Sequence, residues 1–191
     1  MKLILASASP RRAELLTQAG FDFEVDPADV DEAVLPEELP GPYVARVARD
    51  KARMVAARHP ADAAILAADT TVVAAGEILA KPQDAADAAR MLRLLSGTVH
   101  DVLTGVVLAR DTVESVDVVR TRVHFIELTA EDIAWYISTG EAYGKAGAYG
   151  IQGRAARFID WIEGSWSNVV GLPVATVARM VASVSVLSRP E

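Results

Sequence analysis

Short apolar runs alternate with segments of helical periodicity along almost the whole chain, and this constrains the fold more than any other feature. "LILA" (Leu3 to Ala6) is short and apolar, and the segment after it reads as a helix. Ser9 suits the N-cap and Pro10 the first helical position, while Leu15, Leu16 and Ala19 supply an apolar face and Gly20 ends the segment. "FDFEV" reads as a second strand, and "DPADVDEAVLPEELPGP" as an acidic, proline-broken loop. Tyr43 to Arg58 is predicted helical, and "AAILAADTTVV" is a buried strand running into a polar end. "VVAAGEILAKP" predicts a hairpin turning at Ala75-Gly76. Asp84 should cap a helix through Leu95, with Asp87 completing a capping box and Gly97 ending it. Val99 to Leu128 reads as two or three strands, and Thr129 with Asp132 boxes a further helix closed by Gly140. A glycine-rich stretch, "GEAYGKAGAYGIQG", leads to a strand and loop, "ARFIDWIEGSWSNVVGLP". The last helix should start near Pro173 and fray after about Val186. Long strand stretches without intervening helices predict an α/β fold with a mixed sheet.

A chain of 191 residues can bury a good core, as one domain or one domain with two lobes. Its 51% hydrophobic and 24% charged residues describe a globular protein. A net charge of −7 argues against broad binding to nucleic acid or anionic membranes. With no cysteine there is no disulfide framework, thiolate metal site or thiol nucleophile, which fits a reducing compartment. "MKLILASAS" resembles the start of a secretory signal, but its apolar run falls short of the roughly 7–15 residues a signal core needs. No stretch approaches the roughly 20 apolar residues of a membrane span, so a soluble cytoplasmic protein is expected.

The opening helix breaks a local rule. Arg11 and Arg12 occupy its first turn, where the helix dipole makes each cation unfavourable by roughly 0.3–1 kcal/mol. Two such residues together imply an anion nearby, and Ser7, Ser9 and the helix N–H groups could cradle a phosphate. Neither a Walker loop nor a GxGxxG fingerprint is present, so any phosphate site is of another design.

Lys51 lies in the middle of a helical face formed by Val44, Val47, Ala48 and Val55, opposite Arg46, Arg49, Asp50 and Arg53. Alone it reads as a snorkelling lysine; beside the arginine pair it reads better as an ammonium aimed at an anion. Lys81 is restrained by Pro82. Asp69 closes "AAILAAD", where open sheets place ligands, or is merely a turn residue. Asp31 and Glu32 are either a solvated acidic loop or ligands for a hard divalent ion, which needs only one or two protein carboxylates beside nucleotide phosphates. His59, His100 and His124 show no metal-ligand spacing and read as surface or strand residues, and Trp135, Trp161 and Trp166 as core or rim.

The blocks "LILASASPRRAELL", "VDEAV", "RDKA", "AADTTVV", "AKPQD", "LSGTVHDVLTGVVL", "KAGAYGIQG" and "GSWSNVVGLP" occur in order from Leu3 to about Met180 and resemble the Maf family of nucleoside triphosphate pyrophosphatases. The resemblance implies an inosine-triphosphatase-like fold: one domain over residues 1–191, a mixed twisted sheet flanked by helices, and two lobes with a central cleft. It also implies cleavage of the α–β phosphoanhydride bond with Mg²⁺, Mn²⁺ or Co²⁺, and a homodimer. It assigns phosphate binding to Ser7, Arg11, Arg12, Lys51 and Lys81, and places acids for catalysis and metal at Glu32 and Asp69, the latter as proton acceptor. Arg11, Thr70 and Gln152 mark the branch acting on dTTP and UTP, with modified pyrimidine triphosphates as a further option. Thr70 speaks against the branch acting on 7-methyl-GTP, which carries glutamine there. Some positions depart from the family pattern: Gly144 stands for a frequent aspartate, Ala68 and Ala80 for glycines, and Trp166 for a tyrosine.

These residues lead to a mechanism in which Asp69 deprotonates or orients a water attacking the α-phosphorus, with Glu32 holding the metal and the cations gripping the phosphate tail. Asp69 and Glu32 could exchange roles. The Gln152 amide, both donor and acceptor, could read a pyrimidine edge. The rival expectation is a regulator of septum formation that binds nucleotides without turnover. A sequence-specific nucleic-acid protein fits the acidic total less well.

Overall fold

The structure, a computed structural model, describes residues 2–186, with the last two as backbone only; the expected fraying after Val186 lies outside the described residues. Among the described residues seven strands form, β1 (Leu3–Leu5), β2 (Glu24–Val25), β3 (Ala64–Ala74), β4 (Glu77–Leu79), β5 (Val99–Arg110), β6 (Val113–Phe125) and β7 (Ile159–Glu163). The helices are α1 (Pro10–Gln18), α2 (Pro40–Ala56), α3 (Ala85–Leu95), α4 (Ala130–Ser138), α5 (Trp166–Val170) and α6 (Val174–Val186).

Hydrogen bonding orders the strands β2-β1-β3-β5-β6-β7, with β4 paired to β3. The sheet is mixed, as the sequence predicts. β1 runs parallel to β2 (Ile4 opposite Glu24) and to β3 (Ile4 opposite Ile65). β4 is antiparallel to β3 (Val72 opposite Leu79), and β7 to β6 (Val123 opposite Ile162). Parallel neighbours need crossover connections, which α1 and α2 provide. The β3–β4 hairpin turns at Ala75 and Gly76, both at positive φ (49° and 80°), the conformation that a tight hairpin requires.

The described residues divide into two compact units, one comprising residues 2–69, 104–119 and 171–186, the other residues 70–103 and 120–170. In the first, Ile4, Ile65, Ala67 and Val107 pack against Ala48, Ala52 and Val55 of α2. Gly105 of β5 lies so close to this helix that a Cβ there would sit 2.5 Å from the Val44 carbonyl carbon. In the second, Leu79, Leu92, Leu95, Phe125, Ile133, Tyr136 and Phe158 form the core.

Several local details depart from the sequence reading. α2 begins at Pro40, three residues before the expected start, because proline is well tolerated in a first turn, where N–H groups lack helical partners. The Asp84 cap forms with the Asp87 N–H at 2.8 Å, but the Asp87 carboxylate reaches Gln83 N–H rather than closing a box on Asp84. The box at Thr129 and Asp132 is complete. Val99 to Leu128 contains two strands, and the stretch expected as a loop after β7 contains α5. The three tryptophans are partly exposed, lying at the rim.

Candidate functional site

The opening helix resolves its own electrostatic conflict within the first unit. Ser9 is the N-cap in extended conformation, yet its side chain makes no cap bond; its N–H donates to Ser7 Oγ at 3.2 Å. Arg12 folds inward and is buried. Its Nη1 donates to the same Ser7 Oγ at 3.0 Å, and its Nε to the Gly171 carbonyl at 2.8 Å. Burial lowers the Arg12 pKa, the nearby Asp69 and Glu32 charges oppose that shift, and Arg11 adds to it. The anion implied by the arginine pair is therefore at least partly the protein's own.

Lys51 completes that anion's surroundings. Only 6% exposed, it does not snorkel: its Nζ lies 2.8 Å from Asp69 Oδ1 and 2.6 Å from Glu32 Oε1. Asp69 is not at the end of β3, which continues to Ala74. It lies three residues past Leu66, the last residue of β3 paired to β1, and so follows the carboxyl end of the parallel segment, where open sheets place ligands.

The acidic loop before α2 separates the roles of its two acids. Asp31 accepts the Ala33 N–H at 2.9 Å and so serves its own turn. Glu32 faces Lys51. Tyr43 holds the backbone of that residue by donating its hydroxyl to the Glu32 carbonyl at 3.0 Å. Burial, reinforced by Asp69 and Glu32, pushes the Tyr43 phenol up to about 12, so it remains a donor. Arg46 grips the rest of the loop through the Ala33 carbonyl at 2.9 Å and both Glu38 oxygens at 2.7 and 2.8 Å. Tyr43 and Arg46 are absent from the sequence-derived site. Tyr43 could have been found by spacing, since it lies four and eight residues before Val47 and Lys51, on one face of α2.

The remaining candidates belong to the second unit. Thr70 is its first residue, directly after Asp69 in the chain. Lys81 is exposed and lines an open pocket of about 520 Å³ with Gln83, Asp84 and Arg90. Gln152 is exposed on the glycine-rich loop. That loop is tied to the residue before Lys81 by the Gly147 N–H, which donates to the Ala80 carbonyl at 3.2 Å. The structure thus gathers Ser7, Arg12, Glu32, Lys51 and Asp69, with Arg11 coupled electrostatically to Arg12.

Among the described residues no group of three or more histidines and carboxylates forms a metal cage. Glu32 and Asp69, brought to one ammonium, are nevertheless a pair of hard oxygen donors, the set that Mg²⁺ uses when phosphates and water complete its shell.

Fold and site together define an open-sheet α/β protein whose two acids meet on a buried lysine near a helix N-terminus. The chain belongs to the Maf family: the family model described as Maf-like protein matches residues 2–184. It is 54% identical over 187 residues to the dTTP/UTP pyrophosphatase of Koribacter versatilis, covering 98% of this chain and 96% of that protein. The dTTP/UTP pyrophosphatase of Anaeromyxobacter dehalogenans (strain 2CP-1) is 54% identical over 94% of this chain and 92% of its own length. That of Salmonella typhimurium is 49% identical over 97% and 94%. Among solved structures, a nucleoside-triphosphatase / dITP/XTP pyrophosphatase from Mycobacterium abscessus is similar at a TM-score of 0.47 and 18% identity, covering 100% of both chains, a likeness too distant to establish a shared fold.

Proposed function

We propose that the protein hydrolyses dTTP and UTP to the nucleoside monophosphate and pyrophosphate. The observation that carries this reading is the convergence of Asp69 and Glu32 on Lys51, beside Arg12 and the start of α1. Close relatives named for this activity support it. A protein that only bound phosphates would gain nothing from a water-activating base, the part given to Asp69.

Asp69 takes the proton from, or orients, a water whose oxygen bonds to the α-phosphorus as the bond to the bridging oxygen breaks and pyrophosphate leaves. Lys51 sets the direction of the Asp69 carboxylate, and Tyr43 holds the Glu32 backbone. The arginine pair and Ser7 hold phosphate oxygens, as does Lys81; prepositioned charge of this kind carries more of the rate than proton transfer, whose share is roughly 10²–10⁴-fold. Gln152 reads the pyrimidine edge, and Thr70 belongs to the same preference. Glu32 and Asp69 would hold the divalent ion, Mg²⁺ with Mn²⁺ or Co²⁺ as substitutes, which when bound polarises phosphoryl oxygens. The enzyme works as a cytoplasmic homodimer. Among the described residues no helix is long and apolar enough to cross a membrane.

The test is Asp69→Asn with a panel of triphosphates and Mg²⁺, scored for pyrophosphate against orthophosphate. Turnover should fall by at least about 10²-fold while dTTP affinity by calorimetry changes little. Wild-type turnover in the variant would remove Asp69 from this role. Nucleotide binding without pyrophosphate release by the wild type would favour the non-hydrolysing regulator.

A further inference from the structure

Resting on the reading of Gln152 as the base contact, we propose that His100 and Tyr149 form a positioning pair that sets base discrimination by holding the loop that carries Gln152. His100 stands on β5, 2% exposed, and its Nε2 lies 2.7 Å from the Tyr149 hydroxyl. Its other ring nitrogen, Nδ1, is buried with no hydrogen-bond partner among the described residues. A phenylalanine could occupy the same core, which already packs His100 edge-on against Phe125 at 5.1 Å and Tyr149 at 5.4 Å, without burying an unsatisfied nitrogen. The position therefore bears a cost that the single bond to Tyr149 must offset, and Tyr149 lies only three residues before Gln152.

The rest of the loop is pinned on both sides of Gln152. Before it, Gly147 bonds to the Ala80 carbonyl and presses against Val72, where a Cβ would sit 2.8 Å from Cγ2. After it, the Arg154 N–H and guanidinium donate to the two Glu141 oxygens at 2.8 and 3.1 Å, and Gly153 leaves room for that carboxylate. Gln152 itself is exposed between these anchors. An amide reads a base edge only if its backbone is already in place, because ordering a loose loop would consume the binding energy that distinguishes one base from another. Tyr149 holds the loop through a buried side-chain bond, whereas the Arg154–Glu141 contacts on the other side of Gln152 are exposed.

The test replaces both partners by rings of similar shape, His100→Phe with Tyr149→Phe, since removing a pair together leaves no orphaned group. kcat and KM for dTTP and dGTP are measured with Mg²⁺ for the wild type, the double variant, Tyr149→Phe alone, His100→Gln and Gln152→Ala. In the double variant KM for dTTP should rise about tenfold with kcat within about twofold while kcat/KM for dGTP stays within about twofold, so that preference for dTTP over dGTP falls about tenfold. Tyr149→Phe should move the same way should the double variant fail to fold. His100→Gln, whose amide can still reach the hydroxyl, should retain most of the preference. Loss of preference in Gln152→Ala but not in the phenylalanine variants would overturn the positioning role and leave the base reading standing. Unchanged preference in Gln152→Ala would overturn both.

Discussion

Lys51 is a cation where its helix face otherwise presents valine and alanine, and its neighbours decide what it is worth. Asp69 is almost as buried as the lysine, whereas the Glu32 side chain is 36% exposed, so solvent screens the second contact and the first dominates. Removing one member of a buried pair strands the other, at a cost of roughly 3–5 kcal/mol. Lys51→Met should accordingly lower unfolding stability by about that amount, and adding Asp69→Asn should recover most of it. Urea unfolding of the single and double variants checks this; equal stability in Lys51→Met and wild type would mean that Arg12 alone compensates Asp69. The residue types were legible because they contradicted their settings: arginines at a positive helix end, a lysine on an apolar face, an acid in an apolar strand. Their partners were not. Glu32 and Lys51 are nineteen positions apart in sequence, and no local rule says that Asp31 beside Glu32 turns back on its own loop.

At the scale of elements, α2 carries much of the first unit's candidate chemistry. Tyr43, Arg46 and Lys51 hold the Glu32 backbone, the acidic loop and the two carboxylates respectively. Its depth is set by β5, where Gly105 lets the strand approach Val44 backbone to backbone. Gly105→Ala should push the helix outward. The cost should be at least the roughly 1–3 kcal/mol of an overpacked core, because the clash is with backbone rather than a yielding side chain. Activity should fall more than for a surface substitution of equal stability, since the displaced helix carries Lys51 and Tyr43 together. Thermal unfolding and pyrophosphate release on the same preparation read both effects. Periodicity and caps made the helices legible, down to Asp84 and Thr129, while Ser9 takes the N-cap position without a side-chain cap bond. The early start of α2 and the five-residue α5 were not, because proline reads as a breaker unless its place in the first turn is known, and a segment so short has little period to detect.

For the whole molecule, one buried base and one gripped acid push stability in the same direction with pH. Burial holds His100 down to about 4 from an ordinary 6.5, with Asp101 opposing and His124 reinforcing. Between those values the unfolded chain binds a proton that the folded chain refuses, so the contribution is full above about 6.5 and is lost as pH falls toward 4, up to about 3 kcal/mol. Glu38, held by the Arg46 fork, lies near 2 against an ordinary 4.5, so its contribution is present above about 4.5 and is lost as pH falls toward 2. The windows adjoin, one from each unit, and acid should weaken the protein in two successive stages. A urea midpoint measured from pH 8 to pH 3 should hold level down to about 6.5 and then decline. His100→Phe with Tyr149→Phe should flatten the upper part of that decline and leave the lower part. Glu38→Gln should do the reverse, with a smaller amplitude because the Arg46 pair lies nearer solvent. A wild-type midpoint that stays level from 6.5 to 4 would mean that His100 takes up its proton in the folded state, and the neutral ring facing Tyr149 would have to be abandoned.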